Sequence, residues 1–203
     1  MAPKVKLTYF NLRGRAEYAR LLLAYGGIEY EDCRIVPGFV DPSEWKKLKP
    51  TTPYGTLPLL EWNGETIAQS ITLSRFVANE VGLGGRTNLE SAQADEIVDA
   101  VTDMFNAFSQ AHFSKDEAAM KKFGTETLPN GLANIEKRLT QRGGQYLVGN
   151  ALTWADIVMF NFVGALPDQS ILAKVPKIKN LVARVGEIPN IKAWVEKRPK
   201  TAL

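Results

Sequence analysis

The stretch Lys4 to Arg20, KVKLTYFNLRGRAEYAR, constrains the fold more than any other part of the chain. Val5, Leu7 and Tyr9 alternate with Lys4, Lys6 and Thr8, the period of two that marks a strand. Asn11 to Gly14 break the alternation. Ala16, Ala19 and Leu23 then recur at helical spacing, which predicts a helix from Gly14 or Arg15 to the Gly26-Gly27 pair. Tyr9 falls where the strand ends and Arg15 where the helix begins. Both can therefore face one crevice outside the carboxyl end of the strand, where open α/β sheets place ligands. A tyrosine at such a point also serves simply as a packed aromatic.

Further along, Tyr30 to Val36 reads as a second strand containing Cys33. Pro37 to Pro53 holds four prolines and Gly38, a loop with room for one helical turn, on which Trp45 and Lys49 would share a face. Thr56 to Trp62 and Glu65 to Ala68 flank Asn63-Gly64, a strong hairpin signal. Pro58 cannot donate to a ladder, so it belongs at an edge or carries a cis bond. Gln69-Ser70 opens a helix with Ile71, Phe76, Val77 and Val81 as its apolar positions. A serine there caps the helix, and the same geometry offers free N–H groups to an anion. The order is β-α-β then β-β-α, a thioredoxin-like α/β domain over residues 1–81.

Glycines mark a linker at 82–87, and an all-α domain is expected over 88–203. Thr87 to Glu90 has capping-box spacing, and Ile97, Val101, Met104, Phe105 and Phe108 continue it as a long amphipathic helix. Leu128, Leu132, Ile135 and Leu139 predict another helix ending at Gly143-Gly144. Thr153 to Asp156 is a second capping box, read as a folding element. Leu181 to Gly186 and Ile191 to Lys197 supply the last helices, and the tail from Arg198 can fold back toward the first domain.

Tyr9-Phe10, Gly14-Arg15-Ala16-Glu17, Leu57-Pro58 and Gln69-Ser70, in this order, resemble the cytosolic glutathione transferases, and TYFNLRGRAE is similar to their sigma class. The resemblance covers essentially the whole chain. It implies glutathione as substrate or cofactor, with Tyr9 and Arg15 as catalytic residues. Trp45 and Lys49 would reach the glycyl end of glutathione. Leu57, turned outward by a cis-Pro58 and flanked by Gly55 and Thr56, would pair with its cysteinyl backbone. Ser70 and Gln69 would hold the γ-glutamyl carboxylate. Asp103 would cross a homodimer interface to the γ-glutamyl ammonium in the other subunit; its alternative is a solvated helix carboxylate. Phe10, Leu12, Gly14, Met104, Phe105 and Leu203 would wall the pocket for a hydrophobic electrophile, though all are equally good core residues. Two departures stand out. The loop before Trp45 is longer than usual by about five residues, and Thr56 replaces a frequent lysine.

The chemistry follows from the thiol. At a pKa of ~8.5 only roughly 3% is thiolate at pH 7. A charge-assisted hydrogen bond is worth ~1.5–3 kcal/mol and each pKa unit ~1.36 kcal/mol, so one hydroxyl donor lowers the thiol by one to about two units. By the same resemblance Tyr9 is expected to supply that donor and Arg15 to add positive charge. The expected reaction is conjugation of glutathione to hydrophobic electrophiles. A second reading is glutathione-dependent isomerisation of prostaglandin H2 to D2, which some members of the class perform; Gln110 stands where those carry a tryptophan. A third is a non-catalytic, lens-crystallin-like or dimerising module, against which the retained site residues argue.

Composition removes other classes. The 203 residues are 45% hydrophobic and 23% charged, and 25 basic against 22 acidic residues leave a net +3, too mild to argue for nucleic acid or membrane partners. With one cysteine, Cys33, and one histidine, His112, neither an internal disulfide nor a zinc site is expected. Cys33 reads as a structural thiol. No apolar run reaches spanning length and no signal peptide is read, so the expected compartment is the cytoplasm.

Overall fold

The computed structural model describes residues 4–201. Contacts divide the chain into two compact units, one running through Gly82 and resuming at Ile188, the other spanning Leu83–Glu187. The sequence expectation set residues 82–87 apart as a linker and put the last helix in the helical domain; by contacts, Leu83 onward goes with the second unit and Ile188 onward with the first.

In the first unit, strands β1 (Val5–Phe10), β2 (Glu31–Ile35), β3 (Leu59–Trp62) and β4 (Glu65–Ala68) form one sheet in the order β2-β1-β3-β4. β1 pairs parallel with β2, with Tyr9 opposite Arg34, and antiparallel with β3, with Thr8 opposite Leu59. β3 and β4 form the predicted hairpin. Its turn puts Asn63 at φ 54° and Gly64 at φ 93°, the left-handed pair that a two-residue hairpin needs. β3 begins three residues later than the apolar run suggested: Thr56 to Pro58 stay out of the ladder, and the Leu57-Pro58 bond is cis.

Helix α1 (Glu17–Tyr25) follows a single 3-10 turn at Gly14–Ala16, and helix α3 (Ser70–Glu80) follows β4. The predicted turn in the proline-rich loop is α2 (Ser43–Leu48), extended by a 3-10 turn at Lys49–Thr51. Leu7, Leu21, Leu22, Leu23, Leu60, Leu73 and Val77 are fully buried. Each such side chain contributes ~1.5–3 kcal/mol by leaving water.

Helix α9 (Pro189–Lys197) packs on α1. The physical reason is polar as well as apolar. The Trp194 indole N–H donates to Glu17 Oε1 at 2.8 Å, and Arg198 Nη1 lies 2.9 Å from the same oxygen. Glu17 is itself fully buried, as is Arg20, which approaches Glu17 Oε2 at 3.3 Å and Asp32 Oδ1 at 3.0 Å. Charges out of water must be paired in this way.

The second unit is helical: α4 (Asn88–Ser114), α5 (Glu117–Lys122), α6 (Leu128–Arg142), α7 (Trp154–Gly164) and α8 (Pro176–Gly186). α7 is buried almost all round, from Trp154 to Met159, and contacts α4 and α8. The Thr153–Asp156 capping box is formed, and Asp156 also accepts from the Leu147 amide at 2.9 Å. At the start of α4 the box is displaced. Thr87 accepts from the Glu90 amide, but the Glu90 carboxylate reaches the Arg86 amide rather than that of Thr87.

Candidate functional site

Tyr9 stands one residue before the end of β1 and is 7% exposed. Its hydroxyl oxygen accepts from the Arg15 amide at 3.3 Å, which leaves its own hydrogen to donate elsewhere. Burial raises the phenol pKa, opposed by the Arg15 hydrogen bond and by the charges of Arg15 and Arg20. The net direction is upward, so the hydroxyl stays protonated at neutral pH and acts as a donor.

Gly14 has a specific reason to be glycine. Its φ is +40°, and a Cβ there would stand 2.8 Å from the Tyr9 hydroxyl oxygen. The backbone therefore passes directly against the reactive end of the tyrosine. Arg15 follows on the 3-10 turn, half-buried.

An aromatic row extends from Tyr9. The Phe10 ring lies 5.5 Å from Tyr9 and 5.5 Å, edge-on, from Trp45. In the loop before Trp45 a Cβ on Gly38 would stand 3.4 Å from the indole, and the Glu44 carboxylate accepts from the Val36 amide at 2.9 Å. Lys49, exposed at the end of α2, runs its stem past Gly55, whose φ is +64° and whose Cβ would meet Lys49 Cε at 3.4 Å. Trp45, Lys49 and Gly55 thus belong to one folded loop.

Thr56 is exposed, Leu57 half-buried and Pro58 buried just ahead of β3. Across the β3–β4 hairpin, Gln69 adopts φ 70°, ψ 115° immediately before α3. A non-glycine residue in that region carries a strain of ~1–3 kcal/mol, and such strain gathers at functional sites. Ser70, 9% exposed, is the first residue of the helix, so its end presents unpaired N–H groups.

Asp103, Met104 and Phe105 are on α4 in the second unit. Asp103 is exposed and Phe105 half-buried. Met104 is 3% exposed and packs on Gly131 of α6, the environment of a core residue. Leu12 is half-buried in the loop after β1. Leu203 lies outside the described residues. The buried group formed by Glu17, Arg20, Asp32, Trp194 and Arg198 escapes the sequence reading. Its one trace there is a pair of charges, Glu17 and Arg20, inside an otherwise apolar helical run.

Among the described residues no cluster of three or more His, Cys, Asp or Glu side chains is arranged for a metal ion. No described helix is long and apolar enough to cross a membrane.

Two family models match the chain: the glutathione S-transferase N-terminal domain over residues 5–79 and the glutathione S-transferase C-terminal domain over residues 102–198. Hematopoietic prostaglandin D synthase of Gallus gallus is 40% identical, over 99% of this chain and 100% of that protein. Glutathione S-transferase 1 of Ascaris suum is 36% identical over 98% of each. Among solved structures, monomeric Na-GST-3 of the hookworm Necator americanus aligns with a TM-score of 0.88 at 33% identity, over 98% of this chain and 100% of that one.

Proposed function

The chain belongs to the glutathione S-transferase family, and we propose that Tyr9 holds glutathione as its thiolate for attack on a hydrophobic electrophile. The fold is that of the family, a thioredoxin-like domain with a helical one, and glutathione is the compound the family uses.

The observation that carries the residue assignment is the Tyr9 hydroxyl: buried at a strand end, kept protonated, and bonded on its oxygen by the Arg15 amide. Its remaining valence is a donor, which is what a thiolate sulfur requires. Arg15 adds charge that favours the anion. Thiolate stabilisation and proximity are then the main catalytic terms, and no side chain need change its protonation state.

The same reading assigns the rest of glutathione. Trp45 and Lys49 take the glycyl carboxylate, an exposed ammonium on a half-buried aromatic platform. Leu57, outside the ladder and beside cis-Pro58, has a backbone suited to pair with the cysteinyl peptide, with Gly55 and Thr56 beside it. Gln69 and Ser70 take the γ-glutamyl carboxylate at the start of α3. Phe10, Leu12 and Gly14 border the electrophile. Met104 serves the core instead, given its burial against Gly131.

We place the protein in the sigma class, as a cytoplasmic homodimer in which Asp103 reaches the glutathione of the neighbouring subunit. The exposure of Asp103 is compatible with such a contact, and one unpaired cysteine suits a reducing compartment. A second reading, isomerisation of prostaglandin H2 to D2, is favoured by the 40% identity to the chicken synthase. Exposed Gln110, where an aromatic wall is expected, favours conjugation.

The test is conjugation of glutathione to a chromogenic aryl halide between about pH 5.5 and 8.5, in wild type and Tyr9→Phe. The expected wild-type rate rises near pH 6 to about 7, and the rise moves upward in the variant while glutathione still binds. An unchanged profile removes Tyr9 from the mechanism.

A further inference from the structure

We propose that Arg20 is a positioning residue for the Tyr9–Arg15 loop, held in register by Glu17, Asp32 and, from the last helix, Trp194 and Arg198. The inference rests on the reading of Tyr9 as the thiolate donor and extends it to residues that never touch glutathione.

Arg20 is fully buried in the middle of α1. Packing alone does not explain a guanidinium there. Desolvating it is expensive, and an apolar side chain of similar volume often serves a core as well or better. What Arg20 does with its hydrogens is more informative. Nη1 donates to the Leu12 carbonyl at 2.7 Å and approaches the Arg13 carbonyl at 3.4 Å. Those two peptides lead straight into Gly14, whose backbone lies against the Tyr9 hydroxyl, and Arg15, whose amide binds it. The guanidinium carbon also sits 5.9 Å from the centre of the Tyr9 ring. One side chain thus clamps the peptides leading into Gly14 and Arg15 and also lies over the Tyr9 ring.

The clamp is itself held from three elements. Glu17 on α1 approaches Nη1 at 3.3 Å, and Asp32 on β2 accepts from Nε at 3.0 Å. Asp32 is paired in turn with Arg34 at 2.7 Å. Glu17 receives the Trp194 indole at 2.8 Å and Arg198 at 2.9 Å. Among the described residues, Arg13 also acts on the cluster through Glu17 and Arg198, Tyr30 faces Asp32, Arg20, Glu17 and Arg34, and Lys197 lies 5.8 Å from the centre of the Trp194 ring. Through Nη1 and Nε the guanidinium meets two carboxylates and two carbonyls, while Nη2 is buried without a hydrogen-bond partner among the described residues; a lysine, with a single nitrogen, reproduces only part of this.

The experiment compares wild type, Tyr9→Phe, Arg20→Met, Arg20→Lys and Arg198→Ala in the aryl halide assay across pH. Glutathione affinity and thermal melting of each variant are measured alongside. Arg20→Met is expected to remain folded, to lose about tenfold in kcat, and to move the pH midpoint of the rate upward by up to about one pH unit, in the direction of Tyr9→Phe. Arg20→Lys is expected to recover part of the loss. Arg198→Ala, a change at the rim of the cluster, is expected to give a smaller shift of the same sign, and it decides the question if Arg20→Met does not fold. A residue that only stabilises the fold would lower the folded fraction and leave the midpoint where it is. Unmoved midpoints in the Arg20 and Arg198 variants, beside a shifted Tyr9→Phe, overturn the positioning role and leave the thiolate mechanism intact. An unmoved Tyr9→Phe overturns the mechanism itself, and the positioning role with it.

Discussion

Gly14 shows how little space the site leaves. Its positive φ and the 2.8 Å approach of a Cβ to the Tyr9 hydroxyl act together, so Gly14→Ala has both a backbone and a steric penalty. The expected stability loss is about 1–2 kcal/mol. The larger effect falls on turnover, because a displaced hydroxyl no longer meets the sulfur: kcat should drop about ten- to a hundredfold, with glutathione affinity changed far less. Steady-state kinetics beside a thermal melt separate the two. The sequence names Gly14 through its neighbours, but not its proximity to Tyr9. Gln69 is a similar case, since nothing in the residue type announces φ 70°. Only the junction of the β3–β4 hairpin with α3 imposes that backbone.

Among the elements, the start of α7 is readable in the sequence, because a capping box is local. Its burial was not readable. Asp156 accepts from the Thr153 amide at 2.7 Å and from the Leu147 amide at 2.9 Å, and it is fully buried. Asp156→Ala leaves both amides without their acceptor and should destabilise the protein by about 2–4 kcal/mol in denaturant melts. Burial pushes the Asp156 carboxyl up to about 6, against its hydrogen bonds. A folded pKa above the unfolded value of about 3.9 means that the folded state holds the proton more tightly. The contribution of Asp156 to stability is therefore full below about pH 4 and declines as pH rises to about 6. Measured against Asp156→Asn, the wild-type advantage should be largest near pH 4 and smaller by up to about 3 kcal/mol at pH 7. A difference that grows with pH contradicts this. By contrast the π turn at Phe123–Thr127 has no periodic signal of its own, and α5 has chiefly its cap, Asp116, whose carboxylate accepts from the Ala119 amide at 2.9 Å.

For the whole molecule, the question is how many chains make one site. If Asp103 serves the neighbouring subunit, the protein sediments as a dimer, and Asp103→Ala weakens glutathione binding by roughly tenfold or more with the fold intact. Calorimetric titration together with sedimentation velocity tests both halves. A monomer, as in the hookworm relative, or an unchanged affinity removes Asp103 from the site. The end of the chain is the other matter of scale. Ile191 to Lys197 reads as one more amphipathic helix of an all-helical region, yet contacts group it with the sheet.

The sequence by itself determined most of the elements. Alternation, capping residues, the Asn-Gly turn and the glycines are local properties of the chain, so the strand–loop–helix around Tyr9, the hairpin and the helix starting at Ser70 could be read directly. What only the tertiary structure decided is which distant groups share a dielectric. Glu17 and Trp194 are far apart in sequence and hydrogen-bonded in the fold; Arg20 looks like a surface charge and is buried beside Tyr9. A charged residue in a sequence carries no mark of its desolvation. Its burial is tolerated only when partners from other elements arrive together, and that condition is met by the packed chain rather than by any one segment of it.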